Sequence, residues 1–284
     1  MCQMASRRGT LVQYFDPKRI KLGDTVIILG QTDSGKSILE YHLLSLMAGW
    51  FSYGISFTPT HSSKEMFARI MPRAFIHDPN KAHLESHINS IRRFSRARTR
   101  KGRDPRGNFI IFDDTAGDSA FMRSKAFDGY LFKNRHDKCS VLMTLQACKT
   151  ISPAARENCK IVFAFYTANL AMRKDINQLF FGMLKPREFD ELFDEATQNY
   201  GCLVLDKKAA AKSREWRDYI FWFRATLPED IPRFKLCDEN FFKLDRISNT
   251  HVEEEDDDEA DAVAAAEGQI VRLTATGDVL HEVL

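Results

Sequence analysis

The chain is 284 residues long, 44% apolar and 28% charged, with a net charge of +2, which is long and apolar enough for a complete α/β core. No run approaches the eighteen apolar residues of a membrane span, and Arg7 and Arg8 precede no signal-like apolar stretch, so a soluble intracellular protein is expected. Six cysteines without a CxxC pair or a zinc-type His spacing exclude a disulfide framework and read as reduced core thiols.

Residues 1–20 read as a short leading segment, 21–247 as one body and 248–284 as an acidic tail expected to stay disordered. Charge divides near the same point. Residues 251–284 hold eleven acids and one arginine, leaving forty basic against twenty-eight acidic residues, a net of +12, in residues 1–250. A body of that sign is permissive for a polyanionic partner.

The first element of the body is the apolar run VIIL at 26–29, which leads into GQTDSGKS at 30–37 and a helical pattern at 37–48. Strand, GxxxxGKS and helix in that order describe a phosphate-cradling loop. Gly30 and Gly35 let backbone N–H groups turn toward phosphate oxygens, and Gln31, Thr32, Asp33 and Ser34 complete the loop. Lys36 is expected to reach the β- and γ-phosphates of ATP and the Ser37 hydroxyl to ligate Mg²⁺, with the helix adding its positive end.

A second strand is expected at 53–57, followed by helices at 63–70 and 84–98. Residues 91–106, IRRFSRARTRKGRDPR, carry eight Lys or Arg against one acid and read as a helix running into a mobile basic loop. Arg92, Arg93, Arg96, Arg98 and Arg100 are the candidates for gripping double-stranded DNA through its phosphates; an ordinary solvated helix face is the alternative.

The third strand, in NFIIFDD at 108–114, ends in two carboxylates. Asp113 would hold the Mg²⁺ shell, and Asp114 is placed to polarise the water that attacks the γ-phosphate. The strand at 53–57 intervenes between the loop strand and this one, an order typical of additional-strand P-loop ATPases. A helical pattern at 119–132 precedes the fourth strand, VLMTLQ at 141–146, where Gln146 either senses phosphate or orients water, or is a surface residue closing a strand. The polar turn SPAARENCK comes before a fifth strand at 161–166. Arg156 in that turn is the leading candidate for an arginine lent to a neighbouring subunit's site, with Arg173 in the next helix as second choice.

Helices at 170–183 and 187–198 and strand-like runs at 202–205 and 219–223 complete the body. The alternation predicts a mostly parallel α/β sheet with helices on both faces, and the likeness to additional-strand P-loop ATPases implies a P-loop NTPase fold of RecA/FtsK type with strand order 5-1-4-3-2 and extra C-terminal edge strands. The acids at 253–261 either mimic DNA and cover the basic surface, or serve solubility or partner recruitment. The last segment, QIVRLTATGDVLHEVL, is either a tethered partner-binding peptide or a frayed terminus.

The succession GQTDSGKS, IIFDDTAGD, VLMTLQA and SPAARENCKIVFAF resembles the genome-packaging ATPases of large double-stranded DNA viruses related to poxviruses, which belong with the FtsK and HerA pumps. The similarity extends through GCLVLDKK and DYIFWFRA, over roughly residues 14–226, and Tyr14, Phe15 and Asp16 look like the family's opening segment. It implies an ATP-driven motor, built as a homo-oligomeric ring, that pushes duplex DNA into a capsid with capsid or portal partners. Lys36 and Ser37 then match the first motif, Asp113 and Asp114 the second, and Gln146 the sensor. Two departures stand out: the acid Asp33 inside the loop, and Gln146 following Thr144 and Leu145 instead of a Ser/Thr pair. A replicative helicase, a small-molecule kinase and a non-catalytic nucleotide-switched adaptor share parts of this pattern.

Overall fold

One ten-stranded sheet organises the described residues, 3–5, 11–100, 106–115 and 119–243, in a computed structural model of the chain. Its strands are β1 (Gln3–Ala5), β2 (Leu11–Tyr14), β3 (Thr25–Leu29), β4 (Phe51–Phe57), β5 (Ile76–His77), β6 (Gly107–Phe112), β7 (Cys139–Leu145), β8 (Ile161–Phe165), β9 (Gly201–Asp206) and β10 (Ile220–Arg224). The helices are α1 (Lys36–Leu46), α2 (His61–Ala68), α3 (Lys81–Arg100), α4 (Ser119–Met122), α5 (Lys125–Leu131), α6 (Pro153–Asn158), α7 (Leu170–Phe180), α8 (Pro186–Ala196) and α9 (Lys207–Ala210). Successive residues of a strand face opposite sides of its sheet, so a strand buried at every position is covered on both faces. β3, β4, β6, β7, β8 and β9 are all of this kind.

The strands lie in the order β1-β2-β10-β9-β8-β3-β7-β6-β4-β5. Counting β3, β4, β6, β7 and β8 as one to five, the central block reads 5-1-4-3-2, and all its pairs are parallel. The whole order differs from the expectation at both margins. β9 and β10 join antiparallel beyond β8, but they are not the edge, because β2 pairs parallel with β10 and β1 follows it. At the other margin β5 pairs with β4. These additions escape sequence reading because β1, β2 and β5 are two to four residues long, too short to show a period. The leading segment is thereby part of the sheet, and Phe15 is fully buried against Phe163, Phe221 and Phe223.

The single helix expected at 119–132 is two, α4 and α5. Ser124 separates them by capping α5, its Oγ accepting from Phe127 N at 3.2 Å. Five cysteines, Cys139, Cys148, Cys159, Cys202 and Cys237, are free and buried, and burial pushes the Cys139, Cys148 and Cys159 thiols up to about 12. No helix among the described residues is long and apolar enough to cross a membrane. Cys2, the basic positions 101–105 and the acidic tail lie outside the described residues.

A histidine cluster sits between β4, β5 and α3. The Tyr53 hydroxyl meets His87 Nδ1 at 3.0 Å, and the His77 and His83 rings are 5.0 Å apart. Burial first, and the neighbouring histidines second, lower His87 to about 3; burial and then His83 lower His77 to about 4. Both are neutral in the folded chain at pH values where the unfolded chain protonates them. Stability is therefore intact above the unfolded value of about 6.5 and is lost as pH falls from there toward the folded values. By pH 5 the imbalance at one such histidine costs about 2 kcal/mol. The urea midpoint of the wild type should fall between pH 7.5 and pH 5 by visibly more than that of His87→Gln; equal falls would mean that His87 takes up its proton in the folded state.

Candidate active site

Parallel strands leave a crevice at their carboxyl ends where the strand order reverses, and β3 marks that reversal, with β8 on one side and β7 on the other. The loop 30–37 leaves β3 there, anchored by Gly30 N on Leu145 O at 3.1 Å. Gly30 admits no side chain, since a Cβ would stand 2.3 Å from Ser34 Oγ and 2.9 Å from Phe165 Cβ. Gly35 takes φ +101° at the start of α1, a glycine conformation. Asp33, the unusual acid, has φ +59°. Asp is among the few residues that tolerate the left-handed region, which accounts for its presence at this bend.

Lys36 Nζ spans the loop and donates to Gln31 O at 2.6 Å, while Gln31 Nε2 donates to Thr167 Oγ1 at 2.8 Å, tying the loop to the segment after β8. Burial lowers the Lys36 pKa, and Asp114, Asp113, Asp33 and Glu40 partly oppose the shift. The lysine thus lies within electrostatic reach of both carboxylates at the end of β6.

Because β7 lies between β3 and β6, its end bridges the two motifs. Thr144 Oγ1 donates to Asp113 Oδ1 at 2.6 Å and accepts from Asp114 N at 2.9 Å. Thr58, just beyond β4, donates to Asp113 Oδ2 at 3.2 Å, and Gln146 Nε2 donates to Asp114 Oδ1 at 2.7 Å. Asp113 is 4% exposed, whereas Gln146 is open to solvent. Asp114 has φ +47°, an uncommon conformation for an acid ending a strand. Its N–H bond to Thr144 helps hold it there.

Glu40, one helical turn after Lys36, is fully buried. Burial first, and then the charge of the neighbouring Asp113, hold its carboxyl well above the ordinary carboxylate range, and neither Glu40 oxygen has a hydrogen-bond partner among the described residues. As a neutral acid it can donate to Asp113. Glu40, Thr58, Thr144 and Thr167 are the members that sequence reasoning passed over as site residues. Thr144 did leave a signal, as a hydroxyl near the carboxyl end of the largely apolar strand CSVLMTL.

The residues fit a Mg²⁺-bound nucleoside triphosphate. The Gly30 cradle is one a Cβ would fill, and Ser34 Oγ is buried with no partner among the described residues. Asp113 uses one lone pair on each oxygen for a threonine hydroxyl, which leaves others free. Ser37 is exposed in the first turn of α1.

The candidate arginines are engaged within the chain. Arg156 Nη1 donates to Cys148 O at 3.2 Å and Ile151 O at 2.7 Å. Arg173 pairs with Asp190 at 2.6 Å and Asp194 at 2.5 Å and lies over the Phe193 ring. Among the basic candidates, Arg92 Nε pairs with Asp137 at 3.3 Å, Arg93 is exposed, and Arg96, Arg98 and Arg100 continue α3. Asp137 lies two residues before β7 begins, so this part of α3 is at the amino end of the sheet. Asp113 is at the opposite end, about 20 Å away along a six-residue strand. The basic helix does not adjoin the carboxylates, although it immediately precedes their strand in sequence.

The family described as Poxvirus A32 protein matches residues 15–183 of this chain. Uncharacterized protein 088R of Invertebrate iridescent virus 3 is 27% identical over 216 residues, spanning 75% of this chain and 80% of its own length. Uncharacterized protein 075L of Invertebrate iridescent virus 6 is 28% identical over 204 residues, with 71% and 77% covered. Among solved structures, the genome packaging NTPase B204 from Sulfolobus turreted icosahedral virus 2, in complex with ATP-gammaS, superposes with a TM-score of 0.52 at 16% identity, over 73% of this chain and 100% of that one. EssC (ATPases 2 and 3) from Geobacillus thermodenitrificans gives 0.51 at 14%, over 81% and 45%. At these identities the structural likeness establishes the fold.

Proposed function

This chain belongs to the Poxvirus A32 protein family, and from that premise we propose that it is an ATPase that drives double-stranded DNA into a viral capsid; B204, which shares its fold, is itself named a genome packaging NTPase and a DNA-packaging ATPase. The observation that carries the reading is the relay in which Thr144 ties Asp113 to Asp114 and Gln146 ties Asp114 to the end of β7, within reach of Lys36. A kinase needs an acceptor pocket for a second substrate. This relay instead leaves one partly exposed carboxylate, Asp114, beside Gln146.

In this reading, residues 30–35 bind the phosphates through backbone N–H groups, and Lys36 exchanges the Gln31 carbonyl for phosphate oxygen. Ser37 and Asp113 would hold Mg²⁺, which would supply neutralisation of the charge on the phosphoryl oxygens. Asp114 accepts the proton of the attacking water, and Gln146 fixes the orientation of that carboxylate. The chemistry reaches DNA through the sheet, because the basic end of α3 precedes the amino end of β6 and Asp113 follows its carboxyl end. Arg93, Arg96, Arg98 and Arg100, with Arg92 shared with Asp137, are the phosphate contacts. A ring would place a neighbour's arginine at the site. Arg156 and Arg173 remain the candidates, and either must release its present partners to serve.

The test is the ATPase rate of the full chain with and without duplex DNA across a salt series. Stimulation by DNA that fades as salt rises is expected, together with loss of turnover in Lys36→Ala. A rate indifferent to DNA at low salt would remove the translocase reading. Transfer of phosphate to a nucleoside instead of water would replace it with a kinase.

A further inference from the structure

The turn between α8 and β9 holds two adjacent residues in the left-handed region, Asn199 (φ 50°, ψ 49°) and Tyr200 (φ 58°). Asn tolerates that conformation, but a bulky aromatic is disfavoured in it. Burial does not compensate, because Tyr200 is 69% exposed.

What the conformation achieves is contact with the phosphate loop. A Cβ on Gly35 would lie 3.6 Å from Tyr200 Cδ1 and 3.7 Å from Tyr200 Cβ, with Phe165 Cε1 at 3.3 Å. The ring therefore stands at the rim of the loop, beside the first turn of α1. Its support is fixed: Gly201 pairs with Arg224 across the β9–β10 ladder, and Arg224 Nη2 donates to Gln198 O at 3.4 Å. Gly201 has no room for a side chain, since a Cβ would lie 2.3 Å from Ala196 O.

The two sides of β3 are chemically unlike. On the β7 side stand Thr144, Gln146 and the carboxylates that would face the γ-phosphate; on the β8 and β9 side stand Phe165 and the exposed tyrosine. A triphosphate seated on the loop with its terminal phosphate toward β7 sends its nucleoside toward Tyr200. We propose that Tyr200 is the platform on which the base of the bound nucleoside triphosphate stacks, so that the site reads the base by its aromatic plane. This rests on the reading of residues 30–37 as the triphosphate cradle. Stacking tolerates any base, because every base has a π-face, and larger ring overlap favours purines over pyrimidines.

Calorimetric titration of the full chain with Mg²⁺ and either ATP or inorganic tripolyphosphate tests this. Tyr200→Ala should weaken ATP roughly tenfold and leave tripolyphosphate unchanged, and Tyr200→Trp should retain ATP. Tyr200→Gly should weaken ATP as alanine does while raising the thermal midpoint, because glycine relieves the left-handed strain; the loss then cannot come from unfolding. Unchanged ATP affinity in Tyr200→Ala would overturn the proposal, as would equal weakening of ATP and tripolyphosphate, which would mean the ring only shapes the loop. Lys36→Ala reports on the cradle separately: it should weaken both ligands, and a variant that binds both like the wild type would overturn the cradle whatever Tyr200 does.

Discussion

Asp114→Asn should still bind ATP, yet hydrolyse it about 10² to 10⁴ times more slowly than the wild type, the range a positioned general base supplies. The substitution keeps the shape of the side chain and the oxygen that accepts from Gln146 Nε2 at 2.7 Å, so the Gln146 contact survives. It also keeps the backbone N–H that Thr144 Oγ1 accepts at 2.9 Å, and asparagine is at ease at φ +47°. What disappears is the ability to take a proton. Asp113→Asn should fail differently. Asp113 is buried and accepts from both Thr58 and Thr144, so the amide would turn a donor toward one of those hydroxyls and weaken the hold on Mg²⁺. Nucleotide binding by titration, paired with single-turnover hydrolysis over a Mg²⁺ series, separates the two. Undiminished cleavage in Asp114→Asn would take that residue out of the chemistry.

The parts of this architecture legible beforehand are those where one local rule dominates. VIIL followed by GQTDSGKS reads as a phosphate loop because an ordinary strand-to-helix turn needs neither the lysine nor both glycines. The runs around 109–112, 141–145 and 161–165 announce themselves as strands through short apolar stretches bounded by turn residues, and the structure buries every position in them. What stayed hidden depends on contacts between distant segments. Nothing local says that Thr58 will face Asp113, fifty-five positions away, or that Glu40 on α1 will be buried against the same carboxylate. Arg156 looked free because its turn is polar, yet its guanidinium satisfies carbonyls that the turn leaves open. The basic stretch immediately precedes the DD strand in sequence, yet the length of that strand separates it from the carboxylates in space. Tyr200 gave no signal, since backbone sign at a single residue is set by the tertiary fit of its turn.

Thr144→Val carries the second large expected effect, and it isolates positioning from chemistry because Thr144 is proposed to touch neither phosphate nor water. Valine matches threonine in shape and removes only the hydroxyl. That hydroxyl donates to Asp113 and accepts from Asp114 N, so its loss strips a donor from a buried carboxylate and leaves an N–H without its acceptor. Each unmet group costs about 1–3 kcal/mol, and for a body of this size each kcal/mol lowers the thermal midpoint by roughly 2–4 °C. Asp114, released from the bond that holds it at positive φ, should relax toward ordinary backbone geometry and carry its carboxylate off the Gln146 contact. A misplaced base of this sort loses on the order of 10²-fold in rate. The signature to seek is a fall in kcat with ATP affinity largely kept, and recovery of both rate and midpoint in Thr144→Ser, which restores the hydroxyl without the methyl. If serine fails to rescue while valine keeps the midpoint, the bridge between the two carboxylates is packing alone, and Asp114 owes its position to the residues that follow it.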